Sequence, residues 1–456
     1  MTEPRGPISV TIIGGGASGV LLAAHLLRDP DADVRVTLVE RSGQVGLGLA
    51  YSTNQPDHKL NVPARNMSAF ADDPEHFWRW LQGSDFPAAN GSWVFAPRRR
   101  YGAYLEHVLR EAAESRPGRL LVVTDEAVAV RETANGVETQ LLSGKSLVSV
   151  NSVLALGHET QQSRGRGIAV RLGSQEDTPL PPDAPVMILG SGLSMVDAWL
   201  SLANSGHRGP ITVVSRNSLV PRKHKDVPPI RIDEADIPFG APIPKFLRWF
   251  RDLVRQTEAA NGDWRGVVDG LRPYNQRVWQ SWPIPARRQF LRHLRPWWNV
   301  HRHRLPPELH DRLSSAIVDG QIRLVAAEFQ GVERIGEKVR VQLRRRGAAA
   351  QETLDIARIY DCGGVSLDVR SSSNPLLRDL VASGRGRSDP LHIGLDVDAH
   401  CAVLDRDGKS SERLLAMGPL TRGQFFEIEA VPDIRLQAAR LAERMLAGGN
   451  SPQRTK

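Results

Sequence analysis

Two patterns of hydrophobic and polar residues alternate along the chain: short continuous apolar runs, and longer segments with apolar residues at helical spacing. An apolar run from Ile8 to Ile13 ends at three glycines, and an alanine- and leucine-rich segment with helical spacing follows. A short, uninterrupted apolar run is typical of a buried strand. The pattern therefore predicts a strand, a tight turn and a helix. The next apolar run, Val34 to Val39, predicts a second strand that ends at Glu40.

The glycines after the first strand have the spacing of a dinucleotide-binding turn. In such a turn Gly14 permits the change of direction, Gly16 lets the backbone approach a pyrophosphate, and Gly19 lets the helix pack closely on the strand. Unpaired N–H groups at the helix N-terminus face the phosphates. Glu40 stands where a carboxylate accepts both hydroxyls of an adenosine ribose. A chance glycine turn would not combine these features. The predicted nucleotide-binding residues of this unit are Gly14, Gly16, Ala17, Ser18, Gly19, Glu40 and Arg41.

The same unit occurs a second time. Val186 to Leu189 is an apolar strand that ends at Gly190, and a helical segment and another strand follow. The two units align without a gap, because Gly14 and Glu40 are 26 positions apart and so are Gly190 and Arg216. A carboxylate at this position suits the free ribose diol of FAD, whereas a guanidinium suits the 2′-phosphate of NADPH. The repeat predicts two different cofactors, FAD in the first unit and NADPH in the second.

The second unit departs from the fingerprint at one position. Met195 stands where the first unit has Gly19, so the second helix is expected to lie slightly farther from its strand. Arg222 and Lys223, shortly after the second strand, are candidates for further phosphate contacts. The predicted nucleotide-binding residues of this unit are Gly190, Ser191, Gly192, Ser194, Met195, Ser215 and Arg216.

The rest of the pattern predicts the remaining parts of a two-domain protein. Short alternating strands from about 119 to 156 end at Gly157, and a second set from about 320 to 362 ends at Gly363. The segment between the second unit and the second strand set carries most of the tryptophans, interleaved with arginines at helical spacing. It predicts amphipathic helices with buried tryptophans rather than a nucleic-acid site. The predicted fold class is α/β, with two Rossmann-like dinucleotide-binding domains (FAD and NADPH), β-meander crossovers and an inserted helical subdomain. The predicted boundaries are 1–160 for the first part of the FAD-binding domain, 180–225 and 311–355 for the NAD(P)H-binding domain, 226–310 for the helical insertion, and 356–449 for the C-terminal part of the FAD-binding domain.

Composition narrows the class of protein. A chain of 456 residues with 41% hydrophobic content suits two or three domains. Cys362 and Cys401 form no CxxC pair, so redox chemistry requires a bound cofactor. His301 and His303 lack partners at a standard ligand spacing, and no metal site is predicted. No signal peptide or membrane-length apolar run occurs, which predicts a cytoplasmic protein. The net charge of +8 fits a basic enzyme that handles anionic nucleotides, since no nucleic-acid module is present.

Three further segments are candidates for contact with a flavin ring. Gly43 to Tyr51 and Leu60 to Ser68 are rich in glycine and small polar residues whose backbone can lie flat against a ring. A plain surface connection is the alternative. The third, Leu414 to Glu427, leads to a helix that begins near Pro432 and whose positive end would face the reduced ring. The remaining predicted cofactor contacts are Tyr51, Asn61, Gly157, Gly363 and Gly418.

Seven segments, taken together, have a familiar combination of residues. They are 14–19, 48–51, 60–64, 101–105, 190–197, 297–304 and 418–423. This set resembles the FAD/NAD(P)-binding protein family that includes FAD-dependent urate hydroxylases and amine N-oxygenating flavoenzymes, and the resemblance spans nearly the whole chain. In the broader flavoprotein superfamily the last segment has Gly-Asp, the Asp binding the flavin ribityl chain. Here it has Gly418-Pro419, so that contact must come from elsewhere.

The resemblance implies a flavin monooxygenase. NADPH would reduce FAD, oxygen would add at the flavin C4a, and the hydroperoxide would pass one oxygen atom to a small polar substrate, urate-like or an amine. His58, Asn61 and Arg422 are the candidates for catalytic polar groups that face the reacting ring; surface or packing roles are the alternative for each.

Two other hypotheses stay open. One is a flavin reductase or dehydrogenase that passes electrons to an organic acceptor or partner protein, and the other is a non-catalytic sensor that binds FAD. The expected partners are a small-molecule substrate and oxygen, with no nucleic acid and no membrane. The oligomeric state is not indicated by the sequence.

Overall fold

The computed structural model describes residues 8–86, 91–160, 168–170, 177–366 and 368–450. The strands in these ranges are β1 (Ile8–Ile13), β2 (Val34–Val39), β3 (Leu120–Val123), β4 (Ala127–Thr133), β5 (Gly136–Leu141), β6 (Ser146–Ser149), β7 (Asn151–Leu154), β8 (Glu159–Thr160), β9 (Val186–Leu189), β10 (Ile211–Ser215), β11 (Ile322–Ile335), β12 (Lys338–Arg345), β13 (Gln351–Ile356), β14 (Arg358–Asp361), β15 (Val365–Ser366), β16 (Ala402–Leu404) and β17 (Ser410–Ala416). The α-helices are α1 (Ala17–Arg28), α2 (Gly48–Tyr51), α3 (His76–Gln82), α4 (Arg98–Ser115), α5 (Leu193–Asn204), α6 (Ile243–Ala259), α7 (Trp264–Leu271), α8 (Asn275–Ser281), α9 (Ile284–Gln289), α10 (Arg295–Arg302), α11 (Pro307–Val318), α12 (Pro375–Ala382) and α13 (Val431–Asn450).

The first nucleotide unit is built on a six-stranded sheet with the order β16-β17-β7-β1-β2-β3. Its strands are parallel except for β16, which runs antiparallel to β17. Successive side chains of a strand enter opposite faces of a sheet. Val10 and Ile12 accordingly pack with α1, α4 and α13, whereas Ile13 packs with α12 and the small antiparallel β4-β5-β6 sheet. Both faces of the sheet are therefore covered at its central strand β1, whose sequence is mostly apolar.

The second unit has a similar sheet, but two antiparallel strands, β12 and β13, form one of its edges. Its sheet has the order β13-β12-β11-β10-β9-β14, in which β11, β10, β9 and β14 are parallel. The long strand β11 pairs with β10 through Ala326 and with the antiparallel strand β12 from Ala327 onward. The predicted fold class, two Rossmann-like units with antiparallel β-meanders, is confirmed.

The helical segment lies between β10 and β11 of the second unit. It includes the helices α6 to α10, from Ile243 to Arg302, whereas α11 packs with the core of the second unit. Trp279 and Trp282 are buried as predicted, but Trp297 is 47% exposed. Trp297 and Trp298 are consecutive on α10 and therefore about 100° apart around the helix axis, so they cannot both face one core. Among the described residues, no helix combines the length and hydropathy that a membrane crossing needs.

Candidate functional site

The carboxyl ends of β1, β2, β7 and β17 meet at one edge of the first sheet, where the predicted glycine turn lies. Gly14 has a φ of +109°, and a Cβ on it would lie 2.5 Å from the oxygen of Ala155. A Cβ on Gly19 would lie 2.0 Å from the Gly14 oxygen. Only glycine fits both places. The turn and the close packing of α1 on β1 therefore have the steric basis that the sequence pattern predicts.

The turn of the second unit has nearly the same geometry. Gly190 has a φ of +102°, and a Cβ on it would lie 2.5 Å from the oxygen of Cys362. The Gly14 N–H donates to the oxygen of Val39 over 2.9 Å, and the Gly190 N–H donates to that of Val214 over 2.8 Å. The sequence repeat is thus a structural repeat of the turn.

Met195 marks the difference between the two units. Its side chain is fully buried and belongs to the same core cluster as Trp199 and Leu309. Because even a Cβ would not fit at Gly19 in the first unit, α5 must lie farther from its strand than α1 does. The expectation drawn from the sequence agrees with this packing.

Both helices begin without a side chain that caps their first N–H groups. The N-cap residues are Gly16 for α1 and Gly192 for α5, and neither helix has an acidic residue in its first turn. A Cβ on Gly192 would meet nothing within 4 Å, and one on Gly16 would meet only Gly48, at 3.7 Å. Uncapped N–H groups with open backbone beside them suit an anion such as a pyrophosphate. Ser18 is buried at the start of α1, whereas Ser194 is exposed at the start of α5.

The residues that end the second strand of each unit carry opposite charges. The Glu40 carboxylate accepts from the N–H of Gly15 over 2.8 Å and from the N–H of Ser42 over 2.9 Å, which holds it beside the turn. Arg216 is exposed, and its guanidinium makes no hydrogen bond or ion pair within the part of the chain that the structure describes. Arg41 points elsewhere, with Nη1 3.5 Å from Glu126.

A second guanidinium, which was not predicted from the sequence, lies near Arg216. Arg346 follows β12, and its Nη1 donates to Oδ1 of Asn217 over 2.9 Å. The only signal for it was a run of three arginines far along the chain. Lys223, a predicted phosphate contact, instead pairs with Asp311 at 2.7 Å. The hydroxyls of the two predicted serines, Ser191 and Ser215, are joined by a hydrogen bond of 2.9 Å.

The C-terminal turn Gly418–Thr421 lies directly against the start of α1. Gly418 has a φ of +68°, and a Cβ on it would lie 2.4 Å from Oγ of Ser18. Its N–H donates to Oε1 of Gln437 on α13 over 2.7 Å. The fold therefore brings the predicted residues Ser18 and Gly418, 400 positions apart in the chain, into contact at the nucleotide turn.

Arg422, predicted to face the flavin, is buried and joins the end of β17 to the end of β7. Its Nη2 donates to Nδ1 of His158 over 2.9 Å, its Nε donates to the oxygen of Pro419 over 2.9 Å, and its Nη1 lies 3.1 Å from Oε1 of Glu429. His158 directly follows the predicted residue Gly157, whose φ is +67°. Burial lowers the pKa of His158 to about 4. His158 was not among the residues predicted from the sequence, although a polar residue just after the glycine that ends β7 is a signal for it.

The other predicted catalytic histidine, His58, lies in the contact between the two nucleotide units. Its Nδ1 is 2.8 Å from Oγ1 of Thr53, and its Nε2 is 3.0 Å from both the Asp197 oxygen and Oγ of Ser201 on α5. These contacts favour the packing role that the sequence left open. Three ion pairs join the same two surfaces: Asp57 with Arg312, Lys59 with Glu308, and Arg98 with Asp197.

Asn61 and Tyr51 lie in the segments that were predicted to line a flavin. The backbone oxygen of Asn61 accepts from Nε2 of His224 over 2.9 Å, which again links the first unit to the second. The ring of Tyr51 packs on that of Tyr101 with 4.9 Å between centroids, and burial raises the pKa of its hydroxyl. Gly363, after β14, is exposed beside Gly190.

The helical insertion packs against the loop that follows Arg422. Nε1 of Trp279 donates to the oxygen of Gly423 over 2.8 Å, and the Trp279 ring stacks on Phe426 with 4.8 Å between centroids. The carboxylate of Glu427 accepts from Asn275 over 2.7 Å and from Nε of Arg302 over 3.1 Å. A cavity of about 440 Å³ lies between this loop, α13 and the insertion. The insertion therefore forms one wall of this cavity.

Two buried histidines of this region predict that the protein loses stability in mild acid. Burial lowers the pKa of His158 and of His224 from 6.5 to about 4. The unfolded chain therefore binds more protons than the folded chain below pH 6.5, and stability falls as the pH drops from 6.5 toward 4. We expect a loss of roughly 2 kcal/mol for each histidine between pH 8 and pH 5.

Urea unfolding at pH 8 and pH 5, followed for wild type and His224→Gln, checks this expectation. The variant should lose less stability between the two pH values, because it lacks one of the histidines whose pKa is lowered in the folded protein. An equal pH dependence in both proteins would show that His224 is not held neutral by burial.

Comparisons with known proteins agree with this geometry. Residues 11–159 match the model of a family described as FAD-NAD(P)-binding. The Erwinia amylovora cadaverine monooxygenase of desferrioxamine biosynthesis, solved with FAD, superposes with a TM-score of 0.65, at 13% identity over 97% of this chain and 95% of that chain. The Kutzneria sp. 744 ornithine N-hydroxylase, solved with reduced FAD, NADP+ and L-ornithine, gives a TM-score of 0.61, at 14% identity over 96% and 99%.

The chain has the fold of two-domain flavoproteins. Lactococcus lactis thioredoxin reductase shares it more distantly, with a TM-score of 0.54 at 11% identity over 97% of this chain and 99% of that chain. None of the curated proteins matches the sequence. The resemblance to FAD/NAD(P)-binding proteins that the motifs suggested is confirmed for the first unit of this fold.

Proposed function

We propose that this chain is an FAD-dependent, NADPH-using monooxygenase that oxygenates a small polar substrate. The single observation that carries the proposal is the pair of matching glycine turns whose second strands end in opposite charges, Glu40 and Arg216. A diol-binding carboxylate and a phosphate-binding guanidinium in equivalent places call for two different nucleotides.

The residues present fit both nucleotides. The turn from Gly14 to Gly19, with Glu40 at its side and Gly418 above Ser18, would hold FAD. The turn at Gly190, with Arg216 and Arg346 beyond it, would hold NADPH. A bound flavin accepts a hydride from NADPH and reacts with oxygen, chemistry that side chains alone do not supply.

The chain's own contribution is to orient the reactants and to exclude water. The insertion covers the loop after Arg422 through the contacts of Trp279 with Gly423 and of Asn275 with Glu427, and a cover of this kind would help to keep water from the reacting groups. The net reaction consumes NADPH, oxygen, a proton and the substrate, and it yields NADP+, water and the oxygenated product.

A small polar substrate, urate-like or an amine, agrees with the activities that the structural neighbours are named for. The two neighbours named as an ornithine N-hydroxylase and a cadaverine monooxygenase act on amines, which favours the amine reading.

The alternative function is a flavin reductase that passes electrons to an organic acceptor or partner protein. The structural likeness to a thioredoxin reductase favours it, but the absence of a CxxC pair from the sequence excludes the disulfide-reducing form of that chemistry.

Anaerobic mixing of the FAD-loaded protein with NADPH tests the reduction of FAD by NADPH, which both proposed functions require. We expect NADPH to bleach the flavin spectrum, and NADH to do so only at higher concentration. A flavin that stays oxidised in the presence of NADPH would contradict the proposal.

A further inference from the structure

His158 occupies a defined place at the carboxyl edge of the first sheet. It follows Gly157 at the end of β7, the strand that lies between β1 and β17. Strand β1 leads into the nucleotide turn, and β17 leads into the turn of Gly418, which lies on Ser18. His158 is therefore at the same sheet edge as the proposed FAD turn, between the two strands that form it.

The hydrogen bond from Arg422 fixes which ring nitrogen of His158 carries the proton. A guanidinium donates and cannot accept, so Nδ1, at 2.9 Å from Nη2, must be the acceptor and carry no hydrogen. In a neutral imidazole the proton is then on Nε2. The second contact of Arg422, with Glu429 at 3.1 Å, holds the guanidinium in place from the other side.

The Nε2–H of His158 is a donor without an acceptor among the described residues. His158 is also partly exposed. The charged groups that act on the ring are Glu429 and Arg422, and burial outweighs both in keeping it neutral. A donor of fixed direction, open on one side and neutral at physiological pH, is available for a ligand at this edge.

We propose that His158 donates a hydrogen bond from Nε2 to the flavin of the bound cofactor, and that Arg422 is the positioning residue that sets its tautomer. This inference rests on the proposed function. Reduced flavin carries more negative charge than oxidised flavin, so the donor stabilises the reduced state more strongly. It raises the flavin midpoint potential without any change in the charge of His158.

Two substitutions at His158 test the roles of its two ring nitrogens separately. His158→Asn keeps an acceptor near the position of Nδ1 for Arg422 but removes the Nε2 donor. His158→Gln keeps a donor near the position of Nε2 but removes the acceptor. The readout is the midpoint potential of the FAD-loaded protein in an anaerobic dye-equilibration titration, with His207→Asn, on another buried histidine beyond α5, as the control.

We expect His158→Asn to lower the affinity for reduced FAD about tenfold relative to that for oxidised FAD. This corresponds to a fall of about 30 mV in the midpoint potential of a two-electron couple. His158→Gln should stay closer to wild type, and His207→Asn should equal it. The difference between wild type and His158→Asn should be the same at pH 6 and pH 8, because the ring is neutral at both.

The other outcomes each decide a defined part of the account. If wild type binds FAD and is reduced by NADPH, yet His158→Asn has an unchanged potential, the donor assignment is wrong and the proposed function stands. If wild type takes up no FAD, the proposed function fails and the inference fails with it. Loss of FAD from the Asn variant but not from the Gln variant would support the contact, whereas loss from both would overturn it.

Discussion

Gly14→Ala is expected to abolish FAD binding, whereas the equivalent Gly190→Ala should leave FAD bound and abolish reduction by NADPH. At both positions a Cβ would lie 2.5 Å from a carbonyl oxygen of the neighbouring strand, and the φ angles, +109° and +102°, disfavour any side chain. Strain of this kind costs about 1–3 kcal/mol even without the steric contact. The turn must shift, and its N–H groups then no longer converge on the pyrophosphate.

We expect at least about a hundredfold loss of affinity for the affected nucleotide, or roughly 3 kcal/mol. FAD content after purification and titration of the apoprotein measure the first effect, and anaerobic reduction by NADPH measures the second. Gly144→Ala is the matched control, because Gly144 also has a positive φ, +87°, but a Cβ there would meet nothing within 4 Å. If Gly14→Ala kept FAD, or if both variants lost the same nucleotide, the assignment of one nucleotide to each turn would be wrong.

Arg216→Glu is expected to lower the affinity for NADPH by about a hundredfold and to leave the affinity for NADH within about threefold. The exposed guanidinium makes no hydrogen bond among the described residues and acts only through its charge on Glu328, whose pKa it helps to lower, so a 2′-phosphate would be its main contact. A hydrogen bond to a charged group contributes about 1.5–3 kcal/mol, and the new carboxylate adds repulsion. NADH lacks the phosphate, and a carboxylate in this place suits its ribose diol as Glu40 suits that of FAD.

Reduction rates measured over a range of NADPH and NADH concentrations give both affinities. Arg346→Gln should lower the NADPH affinity less than Arg216→Glu, because it removes one guanidinium without introducing a like charge. Arg131→Gln, on an exposed strand of the small β4-β5-β6 sheet, serves as the control for loss of a surface arginine. An unchanged preference for NADPH in Arg216→Glu would refute the reading of the repeat.

The parts of the fold and site that rest on local patterns were predictable from sequence. Strand, glycine turn and helix follow one another between Ile8 and Arg28, and the spacing from Gly14 to Glu40 is that of a dinucleotide-binding unit. The duplication at Gly190 was visible for the same reason. The steric demands at Gly14, Gly19 and Gly190 are local, and glycine is the only residue that meets them.

The site residues that could not be predicted from the sequence depend on contacts between distant segments of the chain. His158 and Arg422 are 264 positions apart and meet because β7 and β17 are neighbours in the sheet. Arg346 reaches Asn217 only because β11 turns back as β12. His58 looked like a reactive group in a loop, yet its partners are on α5, a helix whose position relative to that loop no local pattern reveals.

The arginines at 98–100 show the same limit. Three consecutive arginines are compatible in the sequence with a site that attracts anions, or with charges exposed to solvent at the start of a helix. In the structure Arg98 pairs with Asp197 of the second unit, Arg99 contacts Asn54, and Arg100 pairs with Asp85. Their role in the fold is to hold α4 against its neighbours.

The most direct test of the monooxygenase proposal is rapid mixing of the NADPH-reduced protein with oxygen, followed by absorbance spectroscopy. The proposal predicts a transient species whose spectrum differs from those of reduced and oxidised flavin, and which decays faster when a suitable amine or purine substrate is present. A direct return to the oxidised spectrum, with no such species even in the presence of candidate substrates, would contradict it and support the reductase alternative.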